Sequence, residues 1–157
     1  MKFEVKNLWK VPVYCAVSSW ASFYITAYLG RFFFVVKEMG TDGIITVSAD
    51  PVRSAIFNVI SFLLVLLVGV IWAFRNMTKQ EIIASSAIAS VIYLLITVLQ
   101  LTITDLPTSF MLACFQSWIA IPNSLLYALT GNLVVSALIS CFSPMMFILF
   151  RVKRRKY

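Results

Sequence analysis

Apolar positions in this chain come in long blocks separated by short polar interruptions, with little of the strict alternation that marks half-buried strands. The clearest block runs from Pro51 to Phe74. It includes Ile60 to Trp72, where one serine is the only hydroxyl and no residue is charged. A second block runs from Glu81 to Ile103. Each exceeds the ~20 residues that cross ~30 Å of hydrocarbon at 1.5 Å per residue. Inside lipid a spanning segment must satisfy its own backbone groups, as a helix does. Residues Arg75 to Glu81 join the two blocks, so a transmembrane helical hairpin is predicted here.

Local signals fix the ends of these helices. Asp50-Pro51 places an N-cap residue before a proline at the first helical position. Thr78-Lys79-Gln80-Glu81 is a capping box that starts the next span. An earlier block, Val11 to Gly30, carries Trp20, Tyr24 and Tyr28, and a last one runs from Asn132 to Phe150 with a kink expected at Pro144. Between the third and last blocks, Thr108 to Ala120 and Asn123 to Thr130 are apolar but short, and Ile121-Pro122-Asn123 interrupts them. Segment 108–130 therefore reads as two short helices lying in the outer interface or dipping in and out of it.

The connection 31–50 supports two patterns. Either the first helix continues to about Glu38 before a loop, or 32–36 and 44–48 pair as a hairpin around Gly40-Thr41-Asp42-Gly43. The longer helix is the expectation. The predicted fold is thus all-α: a polytopic membrane protein built as a four-helix transmembrane bundle with short outer interfacial helices. Residues 1–157 form a single integral membrane domain, with spans at about 11–30, 51–74, 81–103 and 132–150.

Composition strengthens this reading. The chain is 61% hydrophobic and 12% charged over 157 residues, against ~45–50% and ~25% for soluble domains. A small globule has too little interior to hide that excess. The net charge of +7 raises nucleic acid as a partner, but the basic residues sit at the edges of apolar blocks. That is the pattern of a chain oriented by its loops, and no nucleic acid is expected.

With four spans, one side holds Lys2, Lys6, Lys10, Arg75, Lys79, Arg151, Lys153, Arg154, Arg155 and Lys156, while the other holds Arg31, Lys37 and Arg53. Ten against three predicts a multi-pass protein of the cell membrane with both termini in the cytoplasm. A fifth crossing through 108–130 would place the basic tail outside, against that count. The tail itself, Arg151, Lys153, Arg154, Arg155 and Lys156, is expected to contact anionic cytoplasmic lipid at ~1 kcal/mol per charge. Val11 to Gly30 is too long for the apolar core of a signal peptide, so no cleaved leader is expected.

Little catalytic chemistry is written in the chain. Histidine is absent, which removes imidazole as base or metal ligand. Cys15, Cys114 and Cys141 form no C-x-x-C pair and read as packing residues. No phosphate-binding loop, nucleophile elbow, zinc or calcium motif occurs. No cofactor, metal site or catalytic residue is assigned. No Asp, Glu, Lys or Arg falls near the middle of a span, which argues against ion-coupled transport.

Small and polar residues do recur at helical spacing in every span. The first carries Cys15, Ser19, Ser22 and Thr26, and the second Asn58, Ser61, Val65 and Gly69. The third carries Ser86, Ser90, Tyr93, Thr97 and Gln100, and the last Asn132, Ser136, Ser140 and Ser143. Such stripes let helices approach closely and exchange weak hydrogen bonds. The third is the best candidate for a polar path, with Gln100 expected to bond a neighbouring span or water at its outer end. A separate outer set, Asp42, Asp50 and Asp105, would suit acid–base chemistry or a hard cation if the three converged.

Three functional classes remain. The first expectation is a non-enzymatic subunit or accessory acting through helix–helix contacts, its partners being the bilayer and another membrane protein or a second copy. The alternative is a small permease or channel for a neutral or amphipathic solute. The third is an enzyme acting on lipid headgroups at the outer interface.

Overall fold

The computed structural model describes residues 5–39, 45–103 and 105–149. A 3-10 turn, Val5–Trp9, leads into α1 (Lys10–Phe33), and a short hairpin, β1 (Val35–Met39) and β2 (Ile45–Ala49), connects it to α2 (Pro51–Val68). A π-helical turn, Gly69–Ala73, extends α2 before α3 (Lys79–Thr102). Then follow α4 (Leu106–Gln116), α5 (Ala120–Thr130), α6 (Leu133–Ser140), a 3-10 turn at Ser143–Met145, and α7 (Met146–Leu149).

Among the described residues, two helices are long and apolar enough to cross a membrane, Pro51–Ala73 and Lys79–Thr102. Their predicted starts are in place. The Asp50 carboxylate accepts from Val52 N and Arg53 N, and Thr78 and Glu81 close a reciprocal capping box. Helix α1 is as long, at 24 residues, but Ser18, Ser19, Ser22, Thr26 and three tyrosines make it less apolar, and it does not qualify on composition. Helices α4 and α5 form a third candidate only as one pair bent by 93°.

The expectation of an all-α fold is corrected at residues 35–49. Helix α1 stops at Phe33 and an antiparallel hairpin follows, with Val35 opposite Ala49 and Lys37 opposite Val47. Val35, Val36, Ile45, Thr46 and Val47 are β-branched and suit extended backbone. Asp50 N donates to Phe34 O at 2.7 Å and closes the hairpin base. The predicted last span is broken as well as kinked, since α6 ends three residues before the 3-10 turn that contains Pro144.

Helices α1 and α3 run parallel. Asn7 bonds Glu81, Val11 bonds Ser85 and Ser19 bonds Tyr93, each across an offset of 74 residues. A constant offset means that the two segments advance together. Ser85 Oγ serves twice, accepting from Val11 N and donating to Leu8 O at 2.6 Å. Tyr14 adds a tie to the π-helical side by donating to Val65 O.

Aromatic rings fill the centre. Trp118 is fully buried and stacks on Phe62 and Phe147, with centroids 5.3 and 5.5 Å away. Phe147 meets Phe74 and Tyr14 edge-on. Gly69 lies against this cluster, and a Cβ there would sit 2.8 Å from Phe147 and 2.9 Å from Tyr14. The close approach is therefore one that only glycine permits.

Candidate functional site

The turn between α4 and α5 brings separate polar stripes to one place. The bent pair drives its elbow, Ser117-Trp118-Ile119, into the bundle, where Trp118 and Ile119 are buried. Beside it lies a cavity of about 330 Å³ lined by Ser22, Phe23, Thr26 and Ala27 of α1, Asn58 and Ser61 of α2, and Ser117, Ala120, Ile121 and Ser124 of the elbow and α5. Six of these ten residues can hydrogen-bond and none is charged.

What distinguishes this cavity is that its polar groups are uncommitted. Ser124 Oγ donates to Ile121 O within its own helix. Among the described residues, Ser22, Thr26, Asn58, Ser61 and Ser117 make no side-chain hydrogen bond. A hydroxyl in a packed helix commonly bonds back to a carbonyl of the preceding turn, as Ser136, Ser140 and Ser143 do. Those at the cavity remain open to a ligand or to water. At and just beyond the elbow, Trp118 Nε1 and Asn123 Oδ1, a donor and an acceptor, are buried without a partner among the described residues.

The third-span stripe lies elsewhere, in the core. Ser86, Ser90, Tyr93 and Thr97 are buried, whereas Gln100 is half-exposed and makes no side-chain hydrogen bond among the described residues. Thr97 is the hub: its Oγ1 donates to Tyr93 O at 2.9 Å, lies 3.2 Å from Cys141 Sγ, and accepts from Gln116 Nε2 at 2.9 Å. Gln116, on α4, thus holds the position expected of Gln100. Ser86 Oγ and Ser90 Oγ are buried and unpaired among the described residues, so these two act by small size.

The outer carboxylates have structural work. Asp50 caps α2 and pairs with Arg53 at 3.3 Å. Asp105 caps α4 through Thr108 N, and hydrogen bonds from Thr108, side chain first and backbone next, hold its carboxyl below the ordinary value. Asp42 lies outside the described residues, as does the basic tail Arg151, Lys153, Arg154, Arg155 and Lys156. Among the described residues no group of three metal-ligating side chains comes together.

Sequence reasoning named Ser22, Thr26, Asn58 and Ser61 as stripe members but not Ser117, Ser124, Gln116 or Asn7. Ser117 and Ser124 sit on either side of the Ile121-Pro122 break. Two serines flanking a proline break in an apolar stretch were the available signal. No protein-family model, curated protein or solved structure matches the chain.

Proposed function

We propose that this chain is a small permease or channel that takes a neutral, hydrogen-bonding solute into the cavity at the α4–α5 elbow. The observation that carries the reading is the set of five uncommitted polar side chains, from three separate parts of the fold, around one uncharged cavity. A solute with several hydroxyl or amide groups would find donors and acceptors there without displacing any bond the protein makes to itself.

The same reading takes the chain as a multi-pass protein of the cell membrane with four crossings. Parallel α1 and α3, with α2 returning between them, support it. Phe147, near the end of the last segment, packs on Phe74, beside the start of α3, which supports a fourth passage antiparallel to α3. The α4–α5 pair would then enter and leave on one side. The accessory role loses its motive here, because Ser19, Ser22, Ser86 and Ser90 are buried within the chain and are not left over for a partner. The enzyme reading is weakened likewise, since Asp50 and Asp105 are occupied as helix caps.

Reconstitution into liposomes tests the proposal. Swelling with glycerol and urea should exceed that of protein-free vesicles, while potassium and chloride fluxes should not. Asn58→Leu should lower glycerol flux about fivefold, the equivalent of one lost hydrogen bond of ~1 kcal/mol. Neutral-solute flux no greater than in empty vesicles would overturn it.

A further inference from the structure

A second cavity, of about 350 Å³, lies between α1, α3 and α4. Trp9, Val13 and Ala16 line it from the α1 side, Ala89 and Ile96 from α3, and Phe115 from α4. Tyr93 also contributes, but its hydroxyl is engaged with Ser19 Oγ at 3.0 Å, so the ring is what it offers. The groove is apolar along its length and half-open to the outside of the bundle.

Its shape selects the occupant. By the 74-residue offset, Ile96 lies level with Ser22, thirteen positions beyond Trp9. At 1.5 Å per residue the groove is about 20 Å long. A long apolar slot of about 350 Å³ suits a slender hydrocarbon chain, and the charge at one end favours a lipid.

One end of the groove is marked by charge. Trp9 is 59% exposed, and the adjacent Lys6 and Lys10 are exposed with no ion pair among the described residues. Tryptophan favours the headgroup level of a bilayer, and lysines at that level attract anionic lipid. We propose that this groove is a binding site for one anionic phospholipid, an acyl chain lying along α1 and α3 with the headgroup phosphate held by Lys6 and Lys10. The site is separate from the elbow cavity and does not depend on a transport role.

Native mass spectrometry of the full chain in mild detergent, titrated with phosphatidylglycerol or phosphatidylcholine, tests the site. At about fivefold per lysine, the first phosphatidylglycerol should bind about 25-fold more tightly than phosphatidylcholine. Combining Lys6→Gln with Lys10→Gln should erase that preference, and Ala16→Phe should weaken both lipids by filling the groove. If Ala16→Phe fails to fold by circular dichroism, Val13→Trp, at the exposed rim, serves in its place. Equal binding of the two lipids, or a preference unchanged in the lysine variant, overturns the proposal. So does phosphatidylglycerol binding untouched by the groove-filling variants, which would put the lipid on another basic surface. Disulfide-linked dimers from Val13→Cys in native membranes would assign the groove to a second copy and overturn it as well.

Discussion

Removing the Glu81 carboxylate should loosen the start of both parallel helices together. Glu81 is the one buried charged residue among those described, 2% exposed. Oε1 accepts from Asn7 Nδ2 at 2.9 Å and Oε2 from Thr78 N at 2.7 Å. The first bond ties the N-terminal turn to α3, and the second completes the α3 capping box. A hydrogen bond to a charged group contributes ~1.5–3 kcal/mol net, and a lost cap costs ~1 kcal/mol. Glu81→Ala forfeits both and should cost about 3 kcal/mol. Asn7→Ala forfeits only the first and should cost about 2 kcal/mol. Glu81→Gln keeps one acceptor oxygen but turns an NH2 towards a second donor, so its cost should fall between these. Equilibrium unfolding in detergent of both single variants and the double variant yields the coupling, expected at about 1–2 kcal/mol. A coupling below about 0.3 kcal/mol would be ordinary additivity. It would refute the reading that the Asn7–Glu81 bond ties the N-terminal turn to α3.

The Thr97 hub and the topology give two further tests. Gln116→Leu should lower stability by about 1 kcal/mol through the lost bond to Thr97, while Gln100→Leu should change it by less than about 0.5 kcal/mol; thermal unfolding of both in detergent checks the order, and a larger loss at Gln100 would reverse the assignment. A reporter fused after Tyr157 should read as cytoplasmic and one inserted beside Asp42 as external. The opposite result for Tyr157 would mean that the α4–α5 pair crosses the bilayer.

The parts of this fold legible in sequence are those governed by local or periodic physics. The α2–α3 pair declares itself by uninterrupted apolar length. The caps at Asp50 and Thr78 declare themselves because a side chain and the backbone it satisfies lie within three residues. The β1–β2 hairpin was harder. Phe32 to Val36 continues the apolar pattern of α1, and just past the helix end Val35 and Val36 pair with Ala49 and Ser48, well downstream in the chain. Placement was not legible at all. The stripes show which face of a helix is small or polar, but no period in the sequence encodes the 74-residue offset of α1 on α3. Gln100 and Gln116 illustrate the difference. Gln100 had the better spacing, yet the elbow carries Gln116 to Thr97 and leaves Gln100 without a partner among the described residues.

In the proposed role, the lack of charge around the elbow cavity becomes a means of selection. An ion entering a site walled by hydroxyls and one amide would give up its hydration shell for neutral dipoles. Even after relaxation that costs several kcal/mol per ion when no counter-charge is near, and the residues lining the cavity provide none. A polyol or amide has only hydrogen bonds to replace, each worth ~0.5–1.5 kcal/mol net. Ser22, Thr26, Asn58, Ser61 and Ser117 are open to replace them. The same bundle makes the opposite choice between α1, α3 and α4, where Val13, Ala16 and Ile96 present hydrocarbon alone. The α1 side supplies both linings from different stretches of its length, Trp9 to Ala16 for one cavity and Ser22 to Ala27 for the other. The α4–α5 segment divides them along its length, Leu112 and Phe115 before the elbow and Ser117 and Ser124 from it onwards. The 93° bend falls where the apolar lining gives way to the hydroxyl-bearing one.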